Sequence, residues 1–264
     1  MSHIPSRDYW IDAPGGRLFA RRWDGADTAR TGVAPIVLLH DSLGCVDLWR
    51  EFPEQLAAAT RRQVIAYDRL GFGRSDPHVG RLPLSFIGDE AATSFAALRD
   101  GMQFDRFVAF GHSVGGGMAV ACAASYANAC VALITESAQA FVEDRTLQGL
   151  HAARGNFSEP GQVERLQRYH GDKADWVLQA WLGNWLDPDF GDWRLDETLS
   201  RLHLPALVIH GDQDEFGSAE HARRIAQQAG EGSRLLLLED CGHVPHRQVT
   251  GEVLEAARIW LQDV

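Results

Sequence analysis

No run in this chain approaches the ~20 uninterrupted apolar residues that a membrane-spanning helix needs, so the sequence predicts no membrane partner. The opening segment, MSHIPSRDYWID, has neither a basic leader nor the apolar stretch of a secretion signal, and a cytoplasmic protein is expected. Cysteine is scarce and scattered, with Cys45, Cys122, Cys130 and Cys241 forming no C-x-x-C pair. That pattern excludes a disulfide framework and a zinc knuckle and predicts reduced thiols. Positive charge is in deficit: 25 Lys and Arg face 36 Asp and Glu, a net charge of −11. Such a chain is repelled by nucleic acid and by anionic surfaces. The phosphate loop G-x-x-x-x-G-K-[ST] and the zinc helix H-E-x-x-H are both missing. The glycines after Ser113 do not form the dinucleotide fingerprint G-x-G-x-x-G. No metal and no organic cofactor is expected, and the expected partner is a small-molecule substrate.

What is present is an alternation of short apolar runs and helix-like stretches. Ile36–His40, Gln63–Tyr67, Phe107–Phe110, Val131–Thr135, Ala206–His210 and Leu235–Leu238 have strand length and turn-like ends. Because they are apolar on both faces, they predict a largely parallel sheet covered on both sides. Between them, Leu48–Ala59, Asp89–Met102, Gly116–Tyr126, Ala219–Ala229 and Gly251–Gln262 read as helices. The fold class is therefore α/β. Tyr9–Arg22 reads as an antiparallel hairpin turning at Pro14-Gly15-Gly16.

The alternation stops after Thr135. From Gln139 to Leu202 no strand is convincing, and helical periodicity carries Tyr169, Trp176, Trp181, Trp185 and Trp193. The chain accordingly divides into a core segment 1–138, a helical insertion 139–202 and a second core segment 203–264. An insertion between two sheet strands can cover the sheet end where ligands bind. Trp181 and Trp185 are candidates to contact substrate, although a tryptophan stripe equally suits a packing seam.

Gly111-His112-Ser113-Val114-Gly115 fits G-x-S-x-G. The motif is weak alone, but here an apolar strand feeds it and a helix of tiny residues leaves it. A serine on so sharp a turn needs small neighbours, and the helix N-terminus directs N–H groups at developing negative charge.

Strand–GHSVGG–helix resembles the nucleophile elbow of the α/β-hydrolase family. The resemblance extends to Gly211-Asp212-Gln213-Asp214, Cys241-Gly242-His243, His40-Asp41-Ser42-Leu43-Gly44 and Asp68-x-x-Gly71-x-Gly73-x-Ser75, and so to almost the whole chain. It implies an α/β-hydrolase fold with a mostly parallel sheet, helices on both faces and a helical cap. It further implies Ser113 as nucleophile, His243 as base and Asp214 as acid, with the N–H groups of Val114 and Ser42 holding the oxyanion. His246 stays a rival base, and Asp212, Glu215 and Glu136 stay rival acids. Asp41 departs from the family's usual glycine. It either faces outward and braces its loop through backbone N–H groups or orients water or a polar part of the substrate. The implied activity is hydrolysis of a small carboxylic ester or lactone. The alternatives are cleavage of a carbon–carbon bond beside a ketone and a hydrolase-like receptor.

Overall fold

Eight strands in the order β1-β2-β4-β3-β5-β6-β7-β8 make one sheet in the computed structural model, which describes residues 4–26, 33–262 and 264. Residues 1–3, part of the polar N-terminal segment and of the first core segment, lie outside them. β1 (Ser6–Ala13) and β2 (Gly16–Trp23) form the expected hairpin. Its two-residue turn follows from Pro14, which presets φ, and Gly15, which takes φ +96°. β2 pairs antiparallel with β4 (Val64–Tyr67), and every pairing from there to the far edge is parallel. These strands are β3 (Ile36–Leu39), β5 (Phe107–His112), β6 (Cys130–Glu136), β7 (Ala206–Gly211) and β8 (Arg234–Leu238).

Side chains alternate strictly across the sheet. Ile36 and Leu38 enter one core with Trp49, Phe52 and Val253, while Val37 and Leu39 enter the other with Phe95 and Met118. In chain order, the helices before the elbow are α1 (Phe52–Thr60), α2 (Phe86–Asp89) and α3 (Ser94–Met102). α4 (Val114–Ser125) leaves the elbow. Between β6 and β7 come α5 (Asp144–Phe157), α6 (Gln162–His170), α7 (Ala174–Trp185) and α8 (Asp196–Leu199). The chain ends with α9 (Ala219–Gln228), α10 (Pro245–Gln248) and α11 (Thr250–Trp260). Helices α1 and α11 cover the first face, and α3, α4 and α9 cover the second.

Three expectations change. The run Leu235–Leu238 is not sealed on both faces: β8 is the sheet's edge, and Leu235 and Leu237 are 38% and 39% exposed. The stretch expected to be a helix from Leu48 divides at Arg50 (φ +54°), because Pro53 can open a helix but not continue one. The stretch from Asp89 divides at Thr93, which leaves helical geometry (φ −113°, ψ −105°). Its neighbour Glu90 turns inward to accept the Tyr67 hydroxyl. The helices between β6 and β7 are anchored at their base by a bridge between Phe141 and Arg194 and by Leu195 N–H donating to the Ala140 carbonyl at 2.8 Å. Among the described residues, no helix is long and apolar enough to cross a membrane.

Candidate active site

Ser113 stands between β5 and α4 with φ +57° and ψ −127°, a region that L-residues rarely occupy. The turn closes because its neighbours lack side chains. A Cβ on Gly111 would meet the Gly115 carbonyl oxygen at 2.0 Å, and one on Gly115 would meet the Leu39 carbonyl oxygen at 2.1 Å. Ser113 N–H donates to the Glu136 carbonyl at 2.8 Å, so the strained residue is held from the neighbouring strand.

His243, in the loop after β8, lies with Nε2 2.9 Å from Ser113 Oγ. Its Nδ1 is 2.9 Å from both carboxylate oxygens of Asp214, in the loop after β7. Asp214 Oδ1 also accepts the N–H groups of Phe216 (2.8 Å) and Gly217 (3.2 Å). Nδ1 therefore carries a proton toward Asp214, and Nε2 is free to accept one from Ser113. Burial pulls the His243 pKa down, but the hydrogen bond and charge of Asp214 overcome this and leave it above its ordinary value. Burial acts the other way on Asp214, yet the hydrogen bond and charge of His243 hold its carboxyl below the usual range.

The rival acids separate by placement. Asp212 is exposed and accepts Cys241 N–H at 3.4 Å, and Glu215, also exposed, accepts His243 N–H at 3.2 Å. Glu136 and His246 pair with one another: the His246 Nδ1 lies 3.1 and 3.0 Å from the Glu136 oxygens. Neither touches Ser113 Oγ.

Val114 is the first residue of α4, so its N–H has no acceptor within the helix. The Ser42 N–H is likewise without a backbone partner among the described residues. The loop that presents Ser42 is fastened from beneath. The Asp41 carbonyl accepts His40 Nδ1–H and Arg69 Nη2–H, both at 2.8 Å, and His40 Nε2 accepts the Arg69 backbone N–H at 3.3 Å. Burial and the nearby Arg69 charge keep His40 well below its ordinary pKa, and so neutral.

Ser113 and His243 open into a cavity of about 200 Å³ whose walls are mainly apolar: Leu43, Leu150, Trp181, Trp185, Phe216 and Val244. Its polar lining comes from Asp41, Ser42, Gln139, Thr146 and Glu215. Among the described residues, no group of His, Cys, Asp and Glu is placed to hold a metal.

The sequence model of the family described as "alpha/beta hydrolase fold" matches residues 34–180, more than half of the chain. The chain belongs to the α/β hydrolases. A proline iminopeptidase of Lactobacillus crispatus (strain ST1) is 24% identical to it over 273 residues, spanning 88% of this chain and 91% of the relative. A thermophilic esterase from Thermogutta terrifontis superposes with a TM-score of 0.72 at 21% identity, covering 97% and 98% of the two chains. The enol-lactonase of Burkholderia xenovorans LB400 does so with a TM-score of 0.72 at 21% identity, covering 96% and 99%.

Within this hydrolase the sequence-predicted Ser113, His243, Ser42, Asp41, Trp181 and Trp185 line one cavity, and Asp214 joins it through His243. Asp41 lines it, but among the described residues no backbone N–H donates to its carboxylate, so it does not brace the loop in the expected way. Its Oδ2 faces His112 Nδ1 at 3.9 Å, and its Oδ1 lies where a Gly44 Cβ would stand. Trp185 is buried against Phe190 and Trp193 (5.2 and 5.8 Å between ring centres) while still lining the cavity. Trp181 is half-buried and meets the edge of Phe216. Trp176 does not line the cavity: its ring packs against Gly71 and its Nε1–H donates to the Gly80 carbonyl at 2.7 Å. Phe216 and Val244 were findable from their nearness to Asp214 and His243. Thr146 and Leu150, one turn apart on α5, had no signal, because only the docking of that helix turns them inward.

Proposed function

We propose that this hydrolase cleaves a small carboxylic ester or lactone through an acyl-enzyme formed on Ser113. The observation that carries the proposal is the continuous chain Ser113 Oγ–His243 Nε2 and His243 Nδ1–Asp214, each link 2.9 Å, opening into a mainly apolar cavity. In this reading, Oγ attacks the substrate carbonyl as its proton passes to Nε2, and the carbonyl π-electrons move to oxygen. The N–H groups of Val114 and Ser42 receive that oxyanion, a contribution of about 3 kcal/mol per donor. Collapse re-forms the carbonyl and expels the alcohol, which takes the proton from Nε2. Water then repeats the sequence and releases the acid. Asp214 holds the ring and stabilises its positive charge.

The helices of residues 139–202 serve as the cap, with Trp181 and Trp185 as cavity wall and Asp41 beside the oxyanion loop. The small volume suits a short acyl group. Four buried, unpaired cysteines fit a reducing cytoplasm, and the net charge of −11 supports neither a nucleic-acid nor a membrane partner.

The test sets p-nitrophenyl acetate, butyrate and octanoate beside proline p-nitroanilide, with native protein and Ser113→Ala. Saturable ester turnover that falls by about 10³-fold or more in the variant is expected. Turnover of the anilide alone would move the activity to the peptidase side of the family. An ester rate equal in both proteins would remove Ser113 as nucleophile.

A further inference from the structure

Behind the Ser113–His243–Asp214 chain lies a second histidine–carboxylate pair, fully buried. Glu136 closes β6, and His246 stands in α10, three residues beyond His243. The Glu136 carboxylate accepts both the backbone N–H and the Nδ1–H of His246. The same residue's carbonyl accepts Ser113 N–H at 2.8 Å. One buried residue thus grips the nucleophile through its main chain and the base's segment through its side chain. A further tie crosses the same gap: His112 Nε2–H donates to the His243 carbonyl at 2.7 Å. The His246 ring packs against both Trp49 and Phe52, with ring centres 4.7 and 5.2 Å away, and those two rings stack on each other at 5.9 Å.

We propose that Glu136, His246 and His112 are positioning residues that fix His243 against Ser113; the inference rests on the acyl-enzyme reading above. The Ser113–His243 hydrogen bond is broken and re-formed in each half of that cycle, so it cannot itself keep the base in place. Asp214 holds one edge of the ring only. Of the other ties to the loop, Gln213 N–H donates to the Cys241 carbonyl at 2.8 Å two residues before the base, while those to Gly242 N–H and His243 N–H come from the exposed side chains of Gln248 and Glu215. The three buried ties connect the residue before the nucleophile, the nucleophile and the base, and none depends on substrate. Misplacement by about 1 Å at such a distance lowers rate by as much as 10²-fold.

Two variants test this. His246→Asn keeps an N–H near the Nδ1 position. Glu136→Leu/His246→Phe removes both partners and leaves no unpaired buried charge. The readouts are kcat and KM for p-nitrophenyl butyrate, the rate at which a fluorophosphonate labels Ser113, and the downfield proton NMR signal of the His243–Asp214 bond. The double variant is expected to lose about 10- to 100-fold in kcat and in labelling, with KM within about 3-fold and a broadened downfield signal, whereas His246→Asn stays within about 3-fold of native. If the double variant does not fold, His112→Phe, which removes the tie to the His243 carbonyl together with the 3.9 Å approach of Nδ1 to Asp41, carries the same expectation. A folded variant with native kcat, labelling and downfield signal overturns the proposal. So does an equal loss in His246→Asn, which would assign the effect to ring packing. A native protein labelled at Ser113 that turns over no ester would remove the ester reading alone, and labelling and NMR would still decide this one.

Discussion

At Ser113 the backbone is bent into φ +57°, a conformation that persists only when its surroundings hold it. They do so through hydrogen bonds to the Ser113 main chain and through glycines at 111 and 115, where any side chain would collide with a carbonyl oxygen. The chemistry is then set by which side chain can take the proton. His243 accepts it only when unprotonated, so kcat/KM should rise with pH through a value above 6.5, the direction in which Asp214 moves it. Asp214→Asn removes the charge that raises this value and leaves burial, which lowers it. The inflection should therefore shift to lower pH, while the plateau falls by about 10⁴-fold as the ring loses its oriented tautomer. Parallel pH–rate profiles of native and variant protein measure both effects, and an unmoved inflection would mean that Asp214 does not set the basicity of His243.

At the scale of elements, the two cavity-lining tryptophans on α7 have different surroundings, and their substitution should separate packing from specificity. Trp185 is buried against Phe190 and Trp193, so Trp185→Ala should cost about 3–5 kcal/mol in urea unfolding. Trp181 is half-buried at the cavity wall, so Trp181→Ala should cost less stability and shift the chain-length preference toward octanoate. Equal stability losses with an unchanged preference would place both in the seam. The same helices mark the limit of what the sequence conveys. Strands β3 to β7 and the elbow were legible because apolar runs, a G-x-S-x-G turn and tiny residues all demand the same local structure. The Asp68 turn was legible as a motif, and its reason is now plain: the carboxylate accepts Val46 and Arg74 N–H at 2.6 and 2.7 Å, with Gly73 leaving it room. Exposure at β8 was not legible, since an edge strand and a central one can share the pattern LLLL. Nor was the break at Thr93, where the inward pull of Tyr67 on Glu90 overrides helical periodicity. The cavity face of α5 depends on how that helix docks, which no local pattern records.

Across the whole molecule, buried ionisable groups oppose one another in their effect on stability. Burial depresses the histidines His40, His112, His170, His210 and His221, and pushes His112 down to about 4. Between about 4 and its ordinary 6.5, folded His112 binds fewer protons than the unfolded chain. Its contribution is therefore present above 6.5 and is lost as pH falls through that window, by roughly 3 kcal/mol in all. Glu90 does the reverse. Burial raises it from 4.5 to about 7, so its contribution is fully present below 4.5 and is lost as pH rises through about 7. The two shifts nearly cancel, and isosteric variants should unmask each side. Glu90→Gln keeps an acceptor for the Tyr67 hydroxyl but removes the acid-side support. Its unfolding free energy, from urea titrations, should drop below that of native protein as pH is lowered from 8 to 4.5, by roughly 3 kcal/mol. His112→Gln keeps an N–H for the His243 carbonyl but cannot be protonated. Its stability relative to native protein should rise over the same titration by a similar amount. Midpoints for the three proteins that run parallel from pH 8 to pH 4.5 would show that neither group changes its protonation on folding.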